Sequence, residues 1–213
     1  KRRIEQFVTT NRYTHHLTDE YTLFGKYNYS KSVSAQTDET LARFVEATAG
    51  IAYRPIYNDR LNLLSRYTYI ADKDNLDRDV SYTNEESHII EVEGIYSVNA
   101  KVDVGAKYAH KDKMEDFERA SGSVARVESD IDLYGLSASY HIIKEWDVTG
   151  EYHWKTDTQN DELEHGALIS VNKHLSDNFK VGVGYNFSGF DSNLANDDDY
   201  DAQGVFLNLV GKI

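Results

Sequence analysis

The chain has 213 residues, with 36 acidic against 23 basic side chains, a formal charge of −13, no cysteine, one proline and 16 tyrosines. The missing cysteines exclude a disulfide scaffold, a thiolate metal site and a cysteine nucleophile, and a pI near 5.0 argues against nucleic acid as a partner, because neutralising phosphates needs a basic surface. A mean hydropathy of −0.62, with no apolar run approaching the roughly 18 residues of a spanning helix, excludes a helical membrane protein but not a transmembrane barrel, whose lipid face occupies only every second residue.

In chain order, Ile4–His15 is the faintest segment, since its Phe7, Thr9, Asn11 and Tyr13 face barely differs from its Val8, Thr10 and Arg12 face. From Glu20 to Ser30 a period of two is plain. Tyr21, Leu23, Gly25, Tyr27 and Tyr29 share one face and Thr22, Lys26, Asn28 and Ser30 the other, the signature of a strand with one apolar and one polar side. Phe44–Arg54 repeats it with Val45, Ala47, Ala49, Ile51 and Tyr53 outward. Leu61, Leu63, Tyr67 and Tyr69 then oppose Asn62, Arg66 and Thr68. Ile90, Val92, Gly94, Tyr96 and Val98 oppose Glu91, Glu93 and Ser97, and Val102, Val104, Ala106 and Tyr108 oppose Lys101, Asp103 and Lys107. Asp132–Ile142 puts Tyr134, Leu136, Ala138 and Tyr140 outward. Trp146, Val148, Gly150, Tyr152 and Trp154 oppose Asp147, Thr149, Glu151, His153 and Lys155. Ala167, Ile169 and Val171 mark a further strand, Phe179–Phe187 another, and Val205, Leu207, Leu209 and Ile213 the last. The reading is all-β, with about eleven strands and no helical period.

A soluble sandwich also alternates, and the linkers discriminate. Leu17–Asp19, Ile56–Asp59, Ser97–Ala100, Ile143–Glu145 and Ser176–Asn178 are short, whereas Lys31–Thr40, Asp72–Ser87, Asp112–Arg126, Thr156–Leu163 and Gly189–Asp201 are long. Short and long alternate, as in outer-membrane barrels, where tight periplasmic turns face one rim and extended external loops the other. On that orientation Tyr27, Tyr29, Tyr67, Tyr69, Tyr108, Tyr152, Trp154, Tyr185 and Phe187 fall at the outer ends of rising strands, and Tyr53, Tyr96 and Tyr140 at the inner ends of descending ones. Two aromatic girdles result, at the two levels where an amphipathic ring keeps its body in lipid and its polar atom in water. The fold expected is an antiparallel transmembrane β-barrel, a meander, forming a single domain over residues 1–213.

The last strand ends on the periplasmic side, and counting back the first strand starts outside. An odd count and a descending first strand lead to the expectation that this is the C-terminal portion of a longer polypeptide, whose closed barrel has about twelve strands or more, or that the chain shares its sheet with another. Ile4–Asn11 is too short and polar to be the apolar region of a secretory leader.

Gly204–Val205–Phe206–Leu207–Asn208–Leu209 resembles the glycine-then-alternating-hydrophobic signal by which outer-membrane barrels are handed to their insertion machinery. Ala202 stands where that signal carries a polar residue and Ile213 where it ends on an aromatic. Ala52–Tyr53–Arg54–Pro55 followed by Asn58–Asp59–Arg60–Leu61–Asn62, and Gly182–Val183–Gly184–Tyr185–Asn186–Phe187, are similar to C-terminal barrel regions of large Gram-negative outer-membrane proteins. The resemblance implies a place in the bacterial outer membrane, lipid and lipopolysaccharide as surroundings, and recognition by the insertion machinery through Gly204, Leu207 and Leu209.

The polar face of the alternation collects Lys26, Glu46, Arg54, Arg66, Glu91, Glu93, Lys101, Asp103, Lys107, Asp130, Asp132, Asp147, Glu151, His153, Lys155 and Lys180. Such a wall either lines a wet channel or forms a lattice of ion pairs around a narrow or plugged lumen; its acidic members suggest cation preference. The clusters Asp72, Asp74, Asp77, Asp79 and Asp191, Asp197, Asp198, Asp199, Asp201 lack the glycine and terminal glutamate of a calcium loop and read as solvated charge. Lys31, Lys111, Lys113, Arg119 and Arg126 are expected near the outer rim, within reach of anionic headgroups. His15 and His16 point to opposite faces, as do His153 and His165, so no metal site, cofactor or catalytic set is assigned. The leading function is a porin-like or structural pore, passing small hydrophilic solutes or sheathing a protein partner in the lumen. Its rival is a non-conducting anchor for upstream or surface-displayed domains.

Overall fold

The computed structural model describes residues 3–74, 83–118, 123–143, 145–159, 162–176, 178–188, 194 and 203–211. They form β1 (Ile4–His16), β2 (Tyr21–Ser34), β3 (Thr40–Tyr53), β4 (Leu61–Asp74), β5 (Thr83–Asn99), β6 (Val102–Glu118), β7 (Val124–Ile143), β8 (Trp146–Asp157), β9 (Glu162–Ser176), β10 (Phe179–Asn186) and β11 (Gly204–Gly211). The eleven strands make one sheet in sequence order, every neighbouring pair antiparallel. Among the described residues β1 and β11 are not paired with each other, so the sheet is open.

The two faces differ in crowding as well as chemistry. Along β5, Ile89 and Glu91 are each 4% exposed, whereas their neighbours Ile90 and Val92 are 50% and 45% exposed. Side chains on a concave face press together and those on a convex face splay apart, so the odd residues of β5 face a lumen and the even ones face outward. The outward face is apolar nonetheless: Leu63, Val104, Leu136, Ile169 and Val183 all lie open on it. A convex sheet with valine and leucine outside and carboxylates inside is stable only where lipid covers the outside.

Several strands run well past the lipid band. A crossing needs about 9–11 residues, and β5, β6 and β7 have 17, 17 and 20. The sequence expected as the long linker Asp112–Arg126 is therefore largely ladder, and half of Lys31–Thr40 is as well: β6 pairs with β7 from Val102↔Tyr140 out to Glu118↔Val124, and β2 and β3 take residues 31–34 and 40. Water wets both faces of a strand beyond the membrane, and an apolar alternation no longer marks it. The β2–β3 turn closes with Asp38 at φ 54°, a left-handed position that aspartate tolerates, its N–H donating to the Ser34 carbonyl at 2.9 Å. The single proline, Pro55, falls in the β3–β4 connection, where no ladder donor is required.

Asp77, Asp79, Arg119, Asp191, Asp197, Asp198, Asp199, Asp201, Ala202 and Ile213 lie outside the described residues.

Candidate functional site

The inward face is a wall of charges paired between adjacent strands. Lys26 on β2 donates to both oxygens of Glu46 on β3, at 2.7 and 2.8 Å, and Asn28 adds a third donor at 2.7 Å. Arg66 on β4 donates to Glu91 on β5 at 2.8 Å, and Lys107 on β6 approaches the same oxygen at 3.4 Å. Lys155 on β8 meets Glu164 on β9 at 2.6 Å. Registers such as Gly50↔Arg66↔Glu91 and Lys155↔Glu164 explain these meetings, since residues opposite one another on an antiparallel pair share a face. The pairs lie flat along the wall rather than reaching across the lumen.

Glu93, Lys107, Ser137, Glu151 and His153 line a groove of about 190 Å³ floored by Gly105 and Gly135. A Cβ on Gly135 would collide with the His153 ring; the glycine gives the imidazole its seat. Arg54 lines the short-turn rim with His16 and Glu20 in a cavity of about 430 Å³. Lys101, in the β5–β6 turn, lines a cavity of about 1060 Å³ at the same end with Asp147 and Lys180. There Asp147 gathers three nitrogen groups, His141 at 2.6 Å, His174 at 2.6 Å and Lys180 at 3.3 Å, and His141 turns its other nitrogen to Asp103 at 2.9 Å.

Asp132 does not belong to the wall. It shares the outward face of Tyr134, and it accepts from the Tyr108 hydroxyl at 2.8 Å, with His110 Nδ1 at 3.1 Å. Its position above the aromatic level explains how a carboxylate can stand on that face. Asp130 has the same parity. Lys111 and Lys113, expected near the outer rim within reach of anionic headgroups, are turned inward: Lys111 is buried and Lys113 meets Glu85 at 3.3 Å. Arg126 does face outward and clasps Asp116 through Nε at 2.7 Å and Nη2 at 3.0 Å, which holds the Asp116 carboxyl below its ordinary range.

The wall is not polar throughout. Toward the long-linker end Ile70, Ile89, Ala109 and Leu133 form an inward apolar patch, Phe44 and Ile131 border it, and Leu194 from the β10–β11 connection packs on it. Sequence reading missed this patch because single apolar residues among inward charges look like breaks in the alternation.

On the outward face Tyr108, Tyr134, Trp154 and Tyr152 make a continuous band across β6, β7 and β8, with ring centres 5.1, 5.3 and 5.9 Å apart. Tyr69 and Tyr67 contact His88, and Tyr185 meets Phe187 at 4.9 Å. At the other end Tyr53 stacks on Tyr21 at 4.6 Å, while Tyr96 and Tyr140 stand exposed. Tyr27 and Tyr29 lie on β2 in the same phase. On β11, Leu207 and Leu209 face outward and exposed, and Gly204 takes φ 143°. Phe206 turns inward onto Gly184, where a Cβ would collide with its ring.

No family model and no curated protein matches the chain. Among solved structures it is similar to the NanC porin, at TM-score 0.52 and 8% identity over 98% of this chain and 94% of that one. A second porin matches at TM-score 0.52 and 18% identity, over 92% of this chain and 60% of that one. The siderophore receptor PirA from Acinetobacter baumannii matches at TM-score 0.56 and 12% identity, over 86% of this chain and 33% of that one. The fold is that of a Gram-negative outer-membrane β-barrel. Its strands match well under half of the receptor and nearly the whole of the first porin, so at these identities the likeness concerns architecture alone.

Proposed function

We propose that this barrel is a pore of the bacterial outer membrane that passes small hydrophilic solutes, with the long connections external and the short turns periplasmic. The observation that carries the reading is that, among the described residues, the ion pairs of the inner wall run along it, as from Lys26 to Glu46 and from Arg66 to Glu91, and not across the lumen. Pairs held along the wall leave the lumen free, and a wet lumen lined by charges conducts. Lipid and lipopolysaccharide contact the outward aromatics, and Gly204, Leu207 and Leu209 serve recognition by the insertion machinery.

Closure belongs to the same proposal. In an eleven-strand meander β1 and β11 run in the same direction, and unpaired backbone groups cost several kcal/mol each in lipid. One further strand antiparallel to both edges completes a barrel of about twelve strands. The chain lacks cysteine, so a thiol pair placed at Thr10 and Asn208 is unique. Ready oxidation of that pair would mean direct β1–β11 contact and remove the extra strand.

The test of the pore is conductance of the full-length protein in a planar bilayer. Stable unitary steps are expected; insertion without current would leave the anchor role instead.

A further inference from the structure

We propose that the short-turn mouth of the barrel is a proton-switched ion selector built on Asp103, His141, Asp147, His174 and Lys180. It favours anionic solutes when its imidazoles are protonated and cations when they are neutral. The proposal rests on the pore reading and names what sets its selectivity.

The geometry of His141 carries it. Its Nδ1 lies 2.6 Å from Asp147 and its Nε2 2.9 Å from Asp103. A neutral imidazole donates from one nitrogen and accepts at the other, so only the imidazolium can donate to both carboxylates. His174 Nε2 lies 2.6 Å from the second oxygen of Asp147, and Lys180 3.3 Å from it. The cluster spans β6 to β10, five neighbouring strands. It opens on the cavity of about 1060 Å³ to which the turns add Lys101 and Glu145. Ser139 and Thr149, the next inward residues on β7 and β8 toward the membrane middle, share a hydrogen bond of 3.0 Å.

Among the described residues of this cluster and its cavity, the charge count changes sign. With both imidazoles protonated, Lys101, Lys180, His141 and His174 outnumber Asp103, Asp147 and Glu145 by one; with both neutral, the carboxylates outnumber the two lysines by one. Within about 8 Å, the screening distance at physiological salt, a narrow entrance focuses such an excess onto the ions that pass. An unperturbed imidazole changes its charge between about pH 5 and 8.

The test is the reversal potential of the full-length protein in a planar bilayer under a potassium chloride gradient, at about pH 5 and about pH 8. The chloride-to-potassium permeability ratio is expected to fall about threefold or more as pH rises. The double variant H141Q/H174Q should lose that swing, and His153→Gln, deeper in the lumen, should keep it. A swing that survives in H141Q/H174Q, or wild-type selectivity indifferent to pH, overturns the selector while leaving the pore. No current at either pH overturns the pore and the selector with it. If the double variant fails to insert, each single variant must reduce the swing, and an undiminished swing in both sinks the proposal.

Discussion

Glu91 accepts from the Arg66 guanidinium at 2.8 Å, and of the two side chains the carboxylate is the buried one, 5% exposed against 37% for the arginine. Lys107 stands 3.4 Å from the same oxygen, so one carboxylate on β5 serves cations on both neighbouring strands. Glu91→Gln keeps the shape and removes the charge that holds them. Hydrogen bonds to charged groups are worth about 1.5–3 kcal/mol each, and the lumen side of Arg66 is wet, so the expected loss is about 1–3 kcal/mol of stability. Urea unfolding of the protein in vesicles measures it, and the permeability ratio should move toward anions in the same variant. An unchanged midpoint would mean that the triad is a surface pairing without energetic weight.

The assignment of faces can be tested by placing arginine on either side. Val183 is exposed on the outward face near the middle of β10, where Val183→Arg should cost about 2–4 kcal/mol. Asn186→Arg projects toward the lumen and should cost far less. Comparable losses at both kinds of site would show the faces to be wrongly assigned.

The fold was legible because each of these strands announces its own face. Ile90 beside Glu91 and Val104 beside Asp103 are enough to orient β5 and β6, and a hairpin with a short turn then fixes the register by counting. His141 and Asp147 meet on that basis, being directly opposed across the β7–β8 turn. What stayed hidden has physical causes. Asp132 is outward in parity but polar in chemistry, so composition placed it on the wall and only its bond to Tyr108 corrects that. The upper parts of β6 and β7 carry charge on both faces, as at Lys113 and Asp116, so nothing in the alternation distinguishes them from loop. Leu194 meets Ile89 and Leu133 from a segment distant in sequence, and no local pattern encodes that contact.

Gly184 and Phe206 are register partners on β10 and β11, and the phenyl ring occupies the space a side chain on Gly184 would take. Gly184→Val should press on both the ring and the Ile169 carbonyl, 2.8 Å from where its Cβ would stand, and cost about 1–3 kcal/mol, the usual penalty of overpacking. Phe206→Ala in the same molecule empties the space, so the double variant should recover part of that loss, a coupling that a double-mutant cycle isolates. Strict additivity of the two changes would show that the ring does not depend on the glycine.

The aromatic band across Tyr108, Tyr134, Trp154 and Tyr152 marks where lipid ends along β7. Outward residues toward the turn from Tyr134 are Asp132, Asp130, Glu128 and Arg126, whereas those on the other side are Leu136, Ala138 and Tyr140. All share one face, so the change in chemistry comes from the medium and not from the sheet. Nitroxide labels at Leu136 and Ala138 should therefore be relaxed by oxygen, which concentrates in lipid. Labels at Asp130 and Glu128 should instead be relaxed by a water-soluble paramagnetic complex. The crossover belongs within one or two outward positions of Tyr134, because the ring is stable only at the interface. A label at Glu128 that answered to oxygen as Leu136 does would place the whole of β7 in the membrane, and its roughly 66 Å at about 3.3 Å per residue is far longer than a hydrocarbon layer of about 30 Å allows even for a strand tilted by about 45°.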